Sequence, residues 1–302
     1  VALVTRDLKW GIGTHVRQLA DQLTRKGLDV EVFLGNNSLT TNFIPRELEG
    51  FDVINVHGSC FGAFRNQHIP TVLTVHSLLK TELKYHKSVR YMIGKWFENR
   101  TLKHCNKIVV VNDFMVDELS NLYGIDKDKI TIIPNAVSVE EFDRYKRNET
   151  KNPYIISCGR KTKRKRFDIL KKACKSVKVD LKIFHGELSR EELIKQYKHA
   201  TLFVASSEYE TFGYSVAEAM AAKCPVICSN IPAFKSLAIP GKTALTFRVN
   251  DSHSLAIAIS YLLRKKQFRA SLAENAYRHV KQNFSWSHVI SNIIKVYKEA
   301  TS

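Results

Sequence analysis

Short apolar runs alternate with amphipathic stretches along nearly the whole chain, the pattern of parallel α/β layers. In the first half, strands are predicted at Val1–Thr5, Val30–Leu34, Val53–Val56, Thr71–Val75, Ile108–Val111 and Ile130–Ile133. Between the first two, Val16, Leu19, Ala20 and Leu23 follow helical spacing, and Gly27 supplies a stop. Asp113 can cap a helix that ends at Gly124. After Pro134-Asn135 the pattern loosens, and the polar stretch 136–152 reads as a linker. A second series then predicts strands at Tyr154–Cys158, Leu181–Phe184, Leu202–Ala205, Val226–Cys228 and Leu245–Phe247. Ser189-Arg190-Glu191-Glu192 has the form of a capping box, and Asp251 can cap a helix running past Leu263. A last helix comes after Phe284-Ser285-Trp286 and carries Val289, Ile293, Ile294 and Tyr297 on one stripe.

These elements predict two α/β domains, over 1–150 with the linker at its end and over 151–284, and a terminal helix over 285–302. The length of 302 residues fits two domains. Ligands of such sheets bind outside the carboxyl ends of the strands, so residues just after strands are the ones to inspect.

Composition narrows the class. Apolar residues make up 44 % and charged residues 25 %, as in soluble globular proteins. The longest nearly apolar stretch, Leu255–Leu263, is far short of the roughly 20 residues a membrane span needs. No secretory signal is visible; because Val1 already stands in an apparent strand, a short leader could precede it. The six cysteines (Cys60, Cys105, Cys158, Cys174, Cys224 and Cys228) form no Cys-x-x-Cys pair, and most adjoin apolar runs. Buried free thiols of a reducing compartment are expected, and no zinc-type cluster of Cys and His emerges. The net charge of +18 is uneven. Residues 1–150 hold 20 Lys and Arg against 18 Asp and Glu, and residues 151–302 hold 27 against 11. A basic second half suits anionic ligands, an anionic membrane, nucleic acid, or simple solvation.

Candidate chemistry concentrates after strands. The run from Ser207 to Ala222 puts Glu210 and Glu218 eight residues apart, across a turn at Gly213 that leads into a helix. Carboxylates accept hydrogen bonds from the hydroxyls of a sugar or ribose, and the backbone N–H groups near Phe212 and Gly213 can hold phosphate. Sugar hydroxyls beside phosphate describe a sugar nucleotide. Gly159-Arg160 opens a loop rich in cations, in which Arg160 can fork onto phosphate oxygens and Lys165 can add a point charge. The same run could be a solvated loop or a nucleic-acid patch. Gly11-Ile12-Gly13 opens the first helix and resembles half of a dinucleotide fingerprint, but Val16 stands at the third glycine position, which weakens a redox reading. His76 ends a strand, where an imidazole can donate to sugar hydroxyls or shift protons. His57 also comes after a strand and reads as structural. Asp126-Lys127-Asp128 reads as a turn and not as a metal site. The segment 80–107 interleaves Lys80, Lys84, Arg90, Lys95 and Arg100 with Tyr85, Tyr91, Ile93, Trp96 and Phe97. It can lie on an anionic membrane or pack Ile93, Trp96 and Phe97 into the core.

The sequence Tyr209-Glu210-Thr211-Phe212-Gly213, then Glu218-Ala219-Met220-Ala221, then Pro225-Val226-Ile227 resembles the nucleotide-sugar signature of the family 4 retaining glycosyltransferases, also described as glycosyl transferases group 1. The resemblance extends over nearly the whole chain. It implies the GT-B fold: two facing Rossmann-like domains with parallel sheets, a cleft between them, Pro134-Asn135 as hinge, and the last helix returning to the first domain. It implies that Glu218 holds the ribose hydroxyls and Glu210 the sugar hydroxyls. Arg160, Lys165 and the N–H groups near Phe212 and Gly213 would stabilise the departing diphosphate, with His76 near the transferred sugar. Of the family's glycine pair at the first helix only Gly11 carries over, since Trp10 replaces its partner. Ser77 stands for a frequent Asp, and Arg166 for the glycine after Lys165. Downstream, Ser229-Asn230-Ile231-Pro232 matches a family turn, but Ser236 stands where a Glu is expected and Ala244 where a Gly is expected, so no catalytic duty is assigned there.

The resemblance further implies retaining transfer of a hexosyl group from a UDP- or GDP-sugar donor to a sugar, glycan or lipid-linked acceptor. No cofactor and no metal are expected. The implied setting is cytoplasmic, with 80–107 offering contact to the inner face of a membrane. No residue is assigned as a covalent nucleophile. Two rival readings stay open. A sugar-nucleotide epimerase of the same architecture would release an isomer without an acceptor. A nucleic-acid-binding protein would bind with steep salt dependence, but it lacks aromatic-rich strands and carries the glutamate pair.

Overall fold

In the computed structural model the described residues are 1–5, 8, 11–34, 48, 50–58, 68–82 and 89–302. In chain order the elements are β1 (Ala2–Thr5), α1 (Gly11–Arg25), β2 (Glu31–Leu34), β3 (Ile54–His57), β4 (Thr71–Val75), α2 (Leu79–Glu82), α3 (Val89–His104), β5 (Lys107–Val110), α4 (Phe114–Tyr123), β6 (Ile130–Ile132) and α5 (Val139–Asp143). They continue as β7 (Tyr154–Cys158), α6 (Phe167–Val177), β8 (Asp180–Phe184), α7 (Arg190–His199), β9 (Leu202–Ala205), α8 (Tyr214–Ala221), β10 (Val226–Ser229), β11 (Leu245–Phe247), α9 (Ser252–Arg264), α10 (Lys266–Asn283) and α11 (Trp286–Thr301). Each predicted strand is present within a residue or two of its expected bounds.

The chain divides into two compact units. One holds Val1–Ala136 with Trp286–Ser302, the other Val137–Ser285. The first unit has a sheet in the order β2-β1-β3-β4-β5-β6 and the second a sheet in the order β11-β10-β9-β7-β8. Every strand pair is parallel. Both sheets therefore reverse direction of growth beside their first strand: between β1 and β3 in one, between β7 and β9 in the other. Such a reversal leaves a crevice at the carboxyl ends, the place where open α/β sheets take ligands.

The first core joins Leu3 of β1, Val16, Leu19 and Leu23 of α1, and Val72 and Val109 of the sheet to Trp286, Val289, Ile290, Ile293, Val296 and Tyr297 of α11. Burial of each large apolar side chain contributes roughly 1.5–3 kcal/mol, which is what draws α11 onto this sheet. The Nε1–H of Trp286 donates to Gln18 at 3.1 Å, so the indole is both packed and satisfied. The second core packs Leu170 and Cys174 of α6 and Leu255, Ile259 and Leu262 of α9 against Ile155, Val204 and Ile227 of the sheet.

The stretch read as a linker, 136–152, is not one, and the first domain does not run to 150. It belongs with the second unit from Val137 onward. The N–H of Val137 donates to the Phe284 carbonyl at 2.7 Å, and Phe142 is fully buried against Tyr197. Arg147 donates to the carbonyls of Tyr197 and Ala200 at 2.9 and 2.6 Å, and Glu149 pairs with Arg269 at 2.7 Å. The polar residues that suggested solvent instead satisfy the end of α7. Pro134-Asn135 stands just before the division at Ala136, and the returning helix starts at Trp286.

Cys105, Cys158, Cys174, Cys224 and Cys228 are free and buried; Cys60 lies outside the described residues. Among the described residues no helix is long and apolar enough to cross a membrane. Of the basic segment 80–107, residues 83–88 are outside the described part, as are the side chains of Lys80, Arg90, Tyr91, Ile93 and Lys95. On α3, Trp96 is 58 % exposed with the Arg100 guanidinium 5.8 Å from its ring centre, so it does not pack into the core. Glu98 on the same helix is fully buried and accepts from the Leu79 N–H at 2.9 Å.

Candidate functional site

The crevice beside β7 collects most of the residues singled out in the second half. β7 ends at Cys158, and Gly159 comes next with φ of +146°. A Cβ on Gly159 would stand 2.7 Å from Cε of Lys165, so the bare backbone leaves the lysine stem its path. A single turn of 3₁₀ helix, Lys163–Lys165, brings the chain back, and Arg166 holds φ of +47° where a glycine would sit without strain. Arg166 is anchored by Asp168 at 3.0 Å and Glu208 at 3.1 Å. Arg160 is exposed at the start of the same loop.

β9 supplies the facing loop. Ser206 Oγ donates to the Lys165 carbonyl at 2.8 Å, and the Glu208 N–H donates to the Arg164 carbonyl at 2.9 Å. These bonds stitch the two loops together and carry their side chains into contact. The Lys165 ammonium lies 2.5 Å from Glu210 Oε1, with the side chains 15 % and 12 % exposed. Ser207 Oγ donates to the same oxygen at 2.8 Å. Burial pushes the Glu210 carboxyl up, but Lys165, Arg164 and the Ser207 hydroxyl outweigh it, and the group ends below the ordinary range. The Ser229 hydroxyl at the end of β10 donates to the Ser207 carbonyl and holds the loop from below.

Glu218 lies one turn inside α8. Gly213 opens that helix with φ of +100°, and a Cβ there would stand 2.5 Å from the Phe234 ring. Phe212 is buried, leaning on Phe284. Their N–H groups belong to the helix opening, where the backbone favours anions. Both oxygens of Glu218 are engaged: Arg190 Nη1 donates to one at 2.5 Å and the Tyr197 hydroxyl to the other at 3.1 Å. Arg190 also donates from Nε to Glu141 at 2.9 Å, and its guanidinium lies 5.1 Å from the Phe142 ring centre. Burial lowers the affinity of Arg190 for its proton, but Glu218 and Glu141 reverse this and raise it.

The buried Cys158 thiol at the end of β7 responds to both groups. Burial pushes Cys158 up to about 12; the Tyr197 hydroxyl and Lys165 pull it down and Glu218 pushes it up. Lys165 comes from the loop after β7, Glu210 from the loop after β9, Glu218 from α8 and Tyr197 from α7. Sequence reasoning does not single out Arg190, Tyr197, Ser207 or Glu141. The capping box holds the available signal, since Ser189 and Glu192 fix the first turn of α7 and hence the start point of Arg190.

The first unit has its own cluster at the corresponding crevice. Gly11 begins α1, and a Cβ on Gly13 would collide with the Leu8 backbone at 2.2 Å. Trp10 lies outside the described residues. His15 of α1, His57 at the end of β3 and His76 after β4 are all buried. His57 Nδ1 and His76 Nε2 share a hydrogen bond at 3.1 Å, with the rings stacked at 5.4 Å. Burial lowers all three, His76 to about 4, so the imidazoles are neutral near pH 7. Their ring nitrogens lie within 4.8 Å of one another, so they could hold a metal ion. Neutral imidazoles can equally donate to and accept from hydroxyls. Asp126-Lys127-Asp128 is a turn: Asp126 Oδ1 accepts from the Asp128 N–H at 3.1 Å.

The family model for glycosyltransferase family 4 matches residues 34–141, and that for glycosyl transferases group 1 matches residues 180–279, which includes the Glu210–Glu218 run. The chain is a glycosyltransferase of the family 4 type. An uncharacterized glycosyltransferase of Methanocaldococcus jannaschii is 22 % identical to it, over 96 % of this chain and 94 % of the relative. A D-inositol 3-phosphate glycosyltransferase of Xylanimonas cellulosilytica is 21 % identical, over 96 % and 92 %. Among solved structures, the sucrose-phosphate synthase of Thermosynechococcus elongatus superposes with a TM-score of 0.81 at 20 % identity, covering 99 % of this chain and 98 % of that one. HepE of Anabaena, in complex with UDP-glucose, superposes with a TM-score of 0.70 at 14 % identity, covering 99 % of each. This glycosyltransferase therefore has the GT-B fold, with two Rossmann-like parallel sheets.

Proposed function

We propose that this glycosyltransferase moves a hexosyl group from a UDP- or GDP-sugar to a hydroxyl acceptor with retention of anomeric configuration. The observation that carries the reading is the Lys165–Glu210 pair, joined by Ser207, at the crevice where the second sheet reverses. A cation with a carboxylate beside it suits a ligand that is anionic at one end and hydroxyl-rich at the other. HepE, which shares the fold, is described in complex with UDP and with UDP-glucose, and this supports the donor class.

In this reading Lys165, Arg160 and the N–H groups near Phe212 and Gly213 meet the diphosphate. Negative charge grows on that group as the glycosidic bond breaks, so fixed cations there favour the transition state over the ground state. Glu210 takes hydroxyls of the sugar and Glu218 those of the ribose. The anomeric carbon becomes oxocarbenium-like as the leaving group departs. His76 donates to a hydroxyl of the transferred sugar. Because cations of the chain balance the diphosphate, no metal is required. Gly11 is the residue that the family resemblance assigns to the donor phosphate and the acceptor. The acceptor is a sugar, glycan or lipid-linked hydroxyl. The exposed Trp96 under Arg100 supports contact between 80–107 and an anionic membrane.

The test is a thermal-unfolding panel of nucleoside diphosphates and their sugars, then product analysis. A ligand at one hundred times its Kd stabilises the fold by about 2.7 kcal/mol. The anomeric configuration of the product is read by NMR. Absence of any shift with every nucleotide and nucleotide sugar, or an isomerised donor formed without acceptor, overturns the reading.

A further inference from the structure

Arg190 is outside the donor contacts assigned above, yet it controls one of them. It is the first residue of α7, and a capping box fixes that turn: Ser189 accepts from the Glu192 N–H while the Glu192 carboxylate accepts from the Ser189 N–H at 2.8 Å. From this fixed point the guanidinium spans two carboxylates, Glu218 at 2.5 Å and Glu141 at 2.9 Å, with Phe142 beneath it. Tyr197, two turns further along α7, reaches the second oxygen of Glu218 at 3.1 Å. One helix therefore supplies a donor to each oxygen of Glu218. A carboxylate oxygen accepts about two hydrogen bonds, so one acceptor position per oxygen remains. Two remaining positions on a carboxylate with a fixed plane match two adjacent hydroxyls.

The charge balance points the same way. Glu218 is 15 % exposed and Arg190 35 % exposed. A single ion pair would satisfy Glu218 alone. The second carboxylate, Glu141, comes from the stretch just after the division between units, so Arg190 is held from both sides and cannot swing freely. A planar guanidinium holds its two carboxylates in a fixed fork, whereas an ammonium is a point charge whose three donors rotate.

We propose that Arg190 is a positioning residue which, with Tyr197, holds Glu218 in the orientation that selects a ribose with both hydroxyls present. The inference rests on the reading of Glu218 as the ribose carboxylate, so the experiment separates the two. Isothermal titration compares UDP and GDP with their 2′,3′-dideoxy counterparts and with inorganic pyrophosphate. It is run on the parent, Arg190→Ala, Arg190→Met and Glu218→Gln. The parent prefers ribose over dideoxyribose by on the order of ten- to a hundredfold, as for hydrogen bonds to a charged group. Arg190→Ala reduces the preference to about threefold or less while pyrophosphate binding stays within about twofold. A destabilised protein would lose both together.

An Arg190→Ala protein that keeps the parent's preference overturns the proposal. If Glu218→Gln keeps it as well, the ribose assignment of Glu218 falls with it; if Glu218→Gln loses it, only the role of Arg190 falls. Should Arg190→Ala fail to bind pyrophosphate through misfolding, Arg190→Met carries the same comparison, since it keeps an apolar stem over Phe142. Tighter nucleotide binding in either Arg190 variant would make the arginine an internal competitor for Glu218 and would also overturn the proposal.

Discussion

The Lys165 ammonium and the Glu210 carboxylate meet at 2.5 Å, each side chain being less than one-sixth exposed. Neither can be removed without leaving the other poorly solvated and unpaired. Lys165→Ala is expected to lower kcat/KM for sugar transfer by on the order of 10²–10³, the loss typical of one donor to developing charge. Arg160→Ala should fall in the same direction, although its exposure permits partial replacement by water. Steady-state kinetics with a saturating acceptor measures both, and rates within twofold of the parent for the two variants would remove the phosphate site.

Stability should depend on pH through the histidines of the first unit. Folded His76 titrates at about 4, below the value near 6.5 of an unfolded chain, and His15 and His57 are lowered as well. Between those values the unfolded state binds more protons, so stability is full above about 6.5 and is lost as pH falls toward 4. For His76 the loss amounts to roughly 3 kcal/mol at most. Melting temperatures between pH 7.5 and 5 should drop steeply in the parent and less steeply in His76→Asn. Equal slopes in the two proteins would contradict the assignment.

The same three imidazoles make zinc an expected inhibitor. Their nitrogens lie within 4.8 Å of one another, and zinc bonds to nitrogen at about 2.0–2.1 Å. Small side-chain shifts would capture the ion and take His76 out of use. Added zinc should depress transfer and His57→Asn should blunt the effect, while chelation alone should leave the rate unchanged. Activity that disappears on chelation and returns with a divalent ion would refute metal independence.

Backbone strain at the end of α6 offers a stabilising change. Lys178 holds φ of +59° and its N–H closes the helix onto the Cys174 and Lys175 carbonyls. A left-handed conformation costs a side-chain-bearing residue about 1–2 kcal/mol, against about 0.5–1 kcal/mol of extra backbone entropy for glycine. Lys178→Gly is expected to gain about 0.5–1 kcal/mol of stability without altering nucleotide binding. Urea unfolding monitored by circular dichroism measures it, and a lower midpoint would show that the lysine side chain contributes more than its strain costs.

Gly213 presents the opposite case. Its φ of +100° and the 2.5 Å approach of Phe234 to an added Cβ leave no room for a methyl group. Gly213→Ala should cost about 1–3 kcal/mol and weaken nucleotide binding, because the shift falls on the opening of α8. A variant with parent-like melting and affinity would show that Phe234 yields at little cost.

Much of this architecture is legible in the residues themselves, and the reasons are physical. Buried parallel strands are nearly continuous apolar runs, so Tyr154–Cys158 and Leu202–Ala205 are found to the residue. Arg160, Lys165 and Glu210 stand out because they come soon after such strands. The stretch 136–152 looks like a linker because its apolar residues, Val137, Val139 and Phe142, are sparse among charges whose partners lie far along the chain. Arg190 and Tyr197 escape notice for a related reason. Their meaning depends on Glu218, 28 and 21 residues away, and a helical residue announces its helix and not its distant partner. The grouping of His15, His57 and His76 is likewise a product of strand order, since β1, β3 and β4 become neighbours only once the sheet has formed.

The hydrophobic face that α11 presents to the first sheet has a temporal consequence. Leu3, Val16 and Leu19 leave the ribosome well before Val289, Ile293 and Val296, which cover them. The leading lobe must wait, partly uncovered, while the trailing one, Val137–Ser285, is already free to close on itself. The order of synthesis and the order of maturation are thereby inverted, and a stall just short of Trp286 would strand a finished second lobe beside an unfinished first.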